Sequence, residues 1–191
     1  FTDAPPSTKD FESEGWVDAA FPPEPSSIHG GTPPSPQDPN GGSEAPLPLP
    51  ASWRRFADLW PLESLPPVEG EALAPTVQQG PYLGDCWLLS PLAALAARQP
   101  KALRAIFSPC TKDDFAAGRV RVRLCPNGCS WREVEVDTLL PCDERGRPIF
   151  CGTAGAGWAA MVEKAFAKLL GSYAALEGGR CVESLVDLTG G

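Results

Sequence analysis

The chain has 191 residues, a net charge of −8 at neutral pH, and 42% hydrophobic residues. That charge leaves no basic footprint for nucleic acid, and no apolar run approaches the roughly 20 residues needed to span a bilayer. Seven cysteines, an odd number, cannot all enter disulfides, which fits a reduced, cytoplasmic compartment. The chain opens at Phe1 without a secretory signal.

Sixteen of the 23 prolines fall before residue 76, and a segment so punctuated builds no regular core of its own. Residues 1–15 are expected to be a disordered N-terminal segment. The stretch HGGTPPSPQDPNGGSEAPLPLP, at about 29–50, reads as an extended insertion. His29, the single histidine, lies in it with no apolar frame around it, and is expected to be a solvated loop residue. In SWRRFADLWP, Trp53, Phe56 and Trp60 can share one side of a short helix, as a core-facing stripe does.

Next comes QQGPYLGDCWLL, at 78–89, where a loop becomes a helix. CWLLSPLAALAARQ is rich in Leu and Ala, which favour helix, and Asp85 before it can accept hydrogen bonds from first-turn N–H groups. Cys86 is then in the first turn, where free N–H groups and the helix dipole favour thiolate over thiol. A thiolate attacks carbonyl carbon, and the Cys86 N–H points where an oxyanion would form. The bland alternative is a buried, inert cysteine. Pro91, inside this helix, lacks the N–H that would bond back to Trp87, which costs about 3 kcal/mol or kinks the helix.

KALRAIFSPC adds helical turns ending near Pro109. RVRVRL, from Arg119 to Leu124, alternates strictly, so Val120, Val122 and Leu124 point inward. Pro126-Asn127-Gly128 is a turn. WREVEV, from Trp131 to Val136, is a second strand with Trp131, Val134 and Val136 inward, completing a hairpin whose Arg and Glu rows can pair. WAAMVEKAFAKLL, from Trp158 to Leu170, is an amphipathic helix with Trp158, Met161, Val162, Ala165, Phe166 and Leu169 on the apolar face. Glu163, Lys164 and Lys168 lie elsewhere on it, and Gly171 caps it. Helix, hairpin, helix give an α+β fold. The spacing of Cys125, Cys129, Cys142 and Cys151 matches no common zinc pattern, so thiols packed on strands and loops are the expectation.

QGPYLGDCWLL resembles the active-site segment QGxLGDCW of the calpain family and, more distantly, that of papain. WVDAAFPPEPSSI, SWRRFADLWP, DTLLPC, WAAMVEKAFAKLLGSYAALEGG and LVDLTGG resemble further calpain segments in the same order. The resemblance therefore covers 16–191, with the Pro-rich insertion inside it. It implies a papain-like protease-core half, with Cys86 as the nucleophile and the Gln79 side-chain amide as the second oxyanion donor. Five residues separate Gln79 from Asp85 where the family has four, with Gln78 as the fallback donor. In the family the base His and its Asn lie downstream of LTGG. The resemblance thus implies a partial catalytic domain, the Cys half, whose partners are protein substrates and the missing His/Asn half.

Where the family holds calcium with carboxylates, this chain has Thr76 and Ala156. No cofactor is expected in this stretch, and calcium is left to the full-length enzyme. The competing readings are a non-catalytic calpain-like scaffold and a small zinc or redox module.

Overall fold

A computed structural model of the chain describes residues 15–30, 47–61, 77–152 and 157–191. The expected disordered segment over 1–15 and the insertion over 29–50 thus lie mostly outside the described residues, as do Thr76 and Ala156.

The described residues form α1 (Pro25–His29), β1 (Ser52–Arg55), α2 (Phe56–Leu59), α3 (Cys86–Arg98), α4 (Pro100–Ile106) and α5 (Lys112–Ala116). They continue with β2 (Arg119–Leu124), β3 (Arg132–Asp137), β4 (Leu139–Cys142), α6 (Gly157–Leu170) and α7 (Cys181–Thr189). Two antiparallel pairs, β1 with β4 and β2 with β3, complete an α+β arrangement.

The alternation in β2 does what its period requires. Val120, Val122 and Leu124 are fully buried and their Arg neighbours lie on the other face. Asn127 and Gly128 take positive φ in the turn, at 57° and 67°. Across the pair, Arg121 bonds Glu135 at 3.2 Å and also reaches Asp114 at 3.0 Å. Trp131 departs from expectation. It precedes β3 and is 42% exposed, with the Arg123 guanidinium 4.7 Å from its ring centre. The cation over its face holds it at the surface. Trp53 departs too, lying on β1 rather than on a helix with Phe56 and Trp60. All three still pack in the core, and the Phe56 and Trp60 rings lie 5.0 Å apart.

α6 is the axis of the packing. Every residue from Gly157 to Ala167 is buried, Glu163 and Lys164 included, so the helix has no solvated side over these turns. A helix that is apolar almost all round is buried, and its two charges need internal partners. Lys164 Nζ donates to Asp137 Oδ1 at 2.6 Å and to Leu139 O at 2.5 Å. Asp137 also accepts the backbone N–H of Asp18 and Leu139. Burial pulls the Lys164 pKa down, and the Asp137 charge opposes that fall. Lys168 extends the network to Asp18 at 2.6 Å. The segment that opens at Trp16 is held to α6 by charge as well as by apolar packing.

Pro91 stays inside α3 because a neighbouring helix repairs the ladder. In an α-helix the N–H of residue 91 would serve the Trp87 carbonyl. Here the hydroxyl of Ser184, on α7, donates to Trp87 O at 2.6 Å, and Ser184 is fully buried. Ser184→Ala is expected to destabilise by about 1–3 kcal/mol, because the carbonyl is left unserved. In a Pro91→Ala background the loss shrinks, since alanine at that position restores the missing donor. Urea midpoints of the four proteins measure this coupling.

Candidate active site

The site is the junction between the 77–85 loop and the first turn of α3. Cys86 is exposed at the first helical position, while Trp87, Leu88 and Leu89 behind it are buried. This thiol is therefore not the buried cysteine of the alternative reading. Asp85 closes the turn with its carbonyl, which accepts from Leu88 N at 2.9 Å and Leu89 N at 3.2 Å. Its side chain makes no cap. Among the described residues nothing accepts the Cys86 backbone N–H. The orphan donors at a helix start are thus left facing the place where the thiol stands.

The Asp85 carboxyl turns inward instead. It is fully buried, and neither oxygen completes a hydrogen bond of ordinary geometry among the described residues, although its own backbone N–H lies near. It meets the carboxyl of Glu163, on α6, which accepts the Cys151 N–H at 3.1 Å. Burial raises the pKa of Asp85, with the nearby Glu177 charge adding to it, and raises that of Glu163 well above the ordinary range.

Three glycines fix the loop by close approach. A Cβ on Gly80 would come 2.6 Å from the Phe150 carbonyl oxygen, and one on Gly84 would strike the Glu177 carboxyl. Glu177 accepts the Gly84 N–H at 2.8 Å. Gly179 lies under the Trp87 ring, with no room for a Cβ, and the indole N–H donates to Leu176 O at 2.8 Å. Between the pinned Gly80 and the buried Leu83, Pro81 and Tyr82 are exposed in an outward turn. The Gln79 side-chain amide folds back and donates to Leu83 O. Gln78 lies one residue further off, its carbonyl accepting Gly152 N–H. A cavity of about 470 Å³ flanks the turn, lined in part by Trp60, Pro81, Tyr82, Arg147 and Ile149.

His29 is not the solvated loop residue expected. It ends α1 half-buried, its pKa lowered by burial, because α1 sets Ser27 and Ile28 into the core beside it. Among the described residues no hydrogen bond joins it to Cys86. Nor do any three His, Cys, Asp or Glu side chains among the described residues form a group able to hold a metal. Sequence reading missed the Asp85–Glu163 contact and the Ser184 bond. A signal for the first was present, since Glu163 interrupts a helix with apolar residues on all sides.

The model of the calpain family cysteine proteases matches residues 16–191, the span that carries all of this geometry. The chain belongs to that family. Among curated relatives it is 43% identical over 124 residues to the calpain-type cysteine protease DEK1 of Arabidopsis thaliana, covering 64% of this chain and 6% of that protein. It is 35% identical over 151 residues to human calpain-9, covering 78% of this chain and 21% of that protein. The chain therefore spans a small part of these calpains' length.

Proposed function

We propose that the full-length protein is a calpain-type cysteine endopeptidase that cleaves intracellular proteins with Cys86 as its nucleophile. The observation that carries this reading is the exposure of Cys86 at the head of a helix whose next three residues, Trp87, Leu88 and Leu89, are buried. Its thiolate adds to the scissile carbonyl carbon. The carbonyl oxygen becomes an oxyanion that the Cys86 N–H and the Gln79 amide hold. Gln79 has two amide hydrogens and uses one on Leu83 O, which leaves one for the oxyanion. Departure of the amine leaves an acyl-enzyme that water then hydrolyses. The proton of the thiol goes to a His oriented by an Asn, both from the remainder of the protease core, and that His returns it to the leaving amine. This 191-residue stretch alone is accordingly expected to have no peptidase activity.

Calcium does not fit the family's positions here. Thr76 and Ala156 carry no carboxylate, and a hard cation needs several oxygens. No step of this mechanism uses calcium, and any calcium control belongs to the full-length enzyme.

The test is a peptide bearing a thiol-trapping epoxide, applied to the full-length protein, with the adduct mapped by mass spectrometry. The label is expected on Cys86 alone. Burial pushes the Cys142 pKa up to about 11 and that of Cys151 well above the ordinary thiol range, so both stay protonated. Label spread evenly over Cys86, Cys129 and Cys181, the exposed thiols, would instead favour a non-catalytic scaffold.

A further inference from the structure

Asp is a favoured N-cap because its short carboxylate reaches back to the N–H groups of the first turn. Asp85 occupies that position and does not cap. It is fully buried, and apart from its own nearby N–H neither oxygen completes a hydrogen bond, an arrangement that is costly unless a hidden hydrogen supplies the bond. The group it meets is another buried carboxyl, Glu163, which is 1% exposed. Two carboxylates in contact repel when both are ionised, and one proton between them converts the repulsion into a hydrogen bond.

We propose that Asp85 and Glu163 hold a single proton, with Glu163 as the donor, and that this bond keeps the Asp85 carboxyl turned into the core, so that the N–H groups of Cys86 and Trp87 stay open at the head of α3. Both are positioning residues and neither touches substrate. The direction of the bond follows from placement. Asp85 stands at the start of α3, where the helix dipole favours its negative charge, and Glu163 stands in the middle of α6. As an acid, Glu163 keeps a carbonyl oxygen for the Cys151 N–H and a hydroxyl for Asp85. Burial, which raises Glu163 well above an ordinary carboxyl, agrees. The other titratable groups facing the pair are Glu177 from the loop before α7, Cys151 from the segment before α6, and Tyr173 from the segment after α6. Glu177 is negative and strengthens the retention of the proton, while the Cys151 thiol and the Tyr173 phenol are held neutral by burial.

This inference builds on the peptidase reading, but its test does not need turnover. The full-length protein and the variants E163Q and E163L are compared by infrared spectroscopy and by iodoacetamide alkylation of Cys86, located by mass spectrometry. Wild type is expected to show a carboxylic-acid C=O band at neutral pH that E163Q lacks. Gln keeps an N–H for Asp85, so the alkylation rate in E163Q stays within about twofold of wild type. Leu offers no donor. Asp85 then swings out to cap the turn, and Cys86 alkylation slows by about tenfold, because the carboxylate occupies the N–H groups beside the thiol and brings negative charge next to it.

The pair also sets a pH dependence. Glu163 has a raised pKa in the folded state, so its stabilising contribution is complete below the ordinary carboxyl pKa and is lost as pH rises towards the raised value. Relative to E163Q, the folding equilibrium constant of wild type falls about tenfold per pH unit across that window. Absence of the acid band, or its persistence in E163Q, overturns the shared proton, and E163L alkylating as fast as E163Q overturns the positioning role. Should E163L fail to fold, the infrared comparison of wild type and E163Q decides. A protein that passes these tests yet cleaves no peptide counts against the peptidase reading alone.

Discussion

Cys86→Ala in the full-length protein is expected to lower kcat by about 10⁴-fold or more, with little change in stability. In the proposed mechanism the rate loss follows from removing the atom that would form the acyl-enzyme, and knocking out one member of a concerted nucleophile unit in other hydrolases costs a similar factor. Stability should barely move because the side chain is exposed and lost packing is small. The same substitution at Cys142 gives the opposite result. That thiol is fully buried on β4, so Cys142→Ala should leave kcat near wild type while lowering the melting temperature. Peptide turnover and thermal melts of the two variants, run side by side, separate chemistry from packing. Activity surviving in Cys86→Ala would remove Cys86 as nucleophile.

Asp137→Ala is expected to destabilise the fold by about 3–5 kcal/mol, a large share of a domain's margin. Lys164 and Asp137 are both fully buried, and the bond between them is 2.6 Å long. Removing the carboxylate strands an ammonium in the core and leaves the N–H groups of Asp18 and Leu139 without their acceptor. The double variant Asp137→Ala with Lys164→Met is expected to recover most of the loss, because breaking a buried pair costs more than replacing it with apolar groups. Denaturant titration with tryptophan fluorescence reads both. A loss under about 1 kcal/mol in the single variant would show that water reaches the pair.

This network also marks where sequence reading stopped. The alternation of β2, the positive-φ turn at Asn127-Gly128 and the helical run to Leu170 were legible because each is a local periodicity or a local backbone need. The surroundings of Glu163 and Lys164 were not, since their partners lie far along the chain, at Asp85 and Asp137. Trp131 was misread for a related reason. Its place in the alternation favoured the core, and the cation that holds it outside sits on the partner strand, at Arg123. At the site, the placing of Cys86 in the first turn and of Asp85 at the helix boundary could be read from the residues themselves. Where the Asp85 side chain goes could not, because the choice between capping and turning inward depends on α6. Pro91 was legible as a defect, and its remedy on α7 was not.

The loop ahead of Cys86 is rigid at Gly80 and at Gly84 and open to solvent at Pro81 and Tyr82. Natural variation in its length should therefore collect between those two glycines, while a residue added or lost immediately next to the cysteine would shift Cys86 itself. A search pattern for such enzymes that fixes the count from glutamine to cysteine would pass over chains like this one, and one that allows the gap to float at that point would find them.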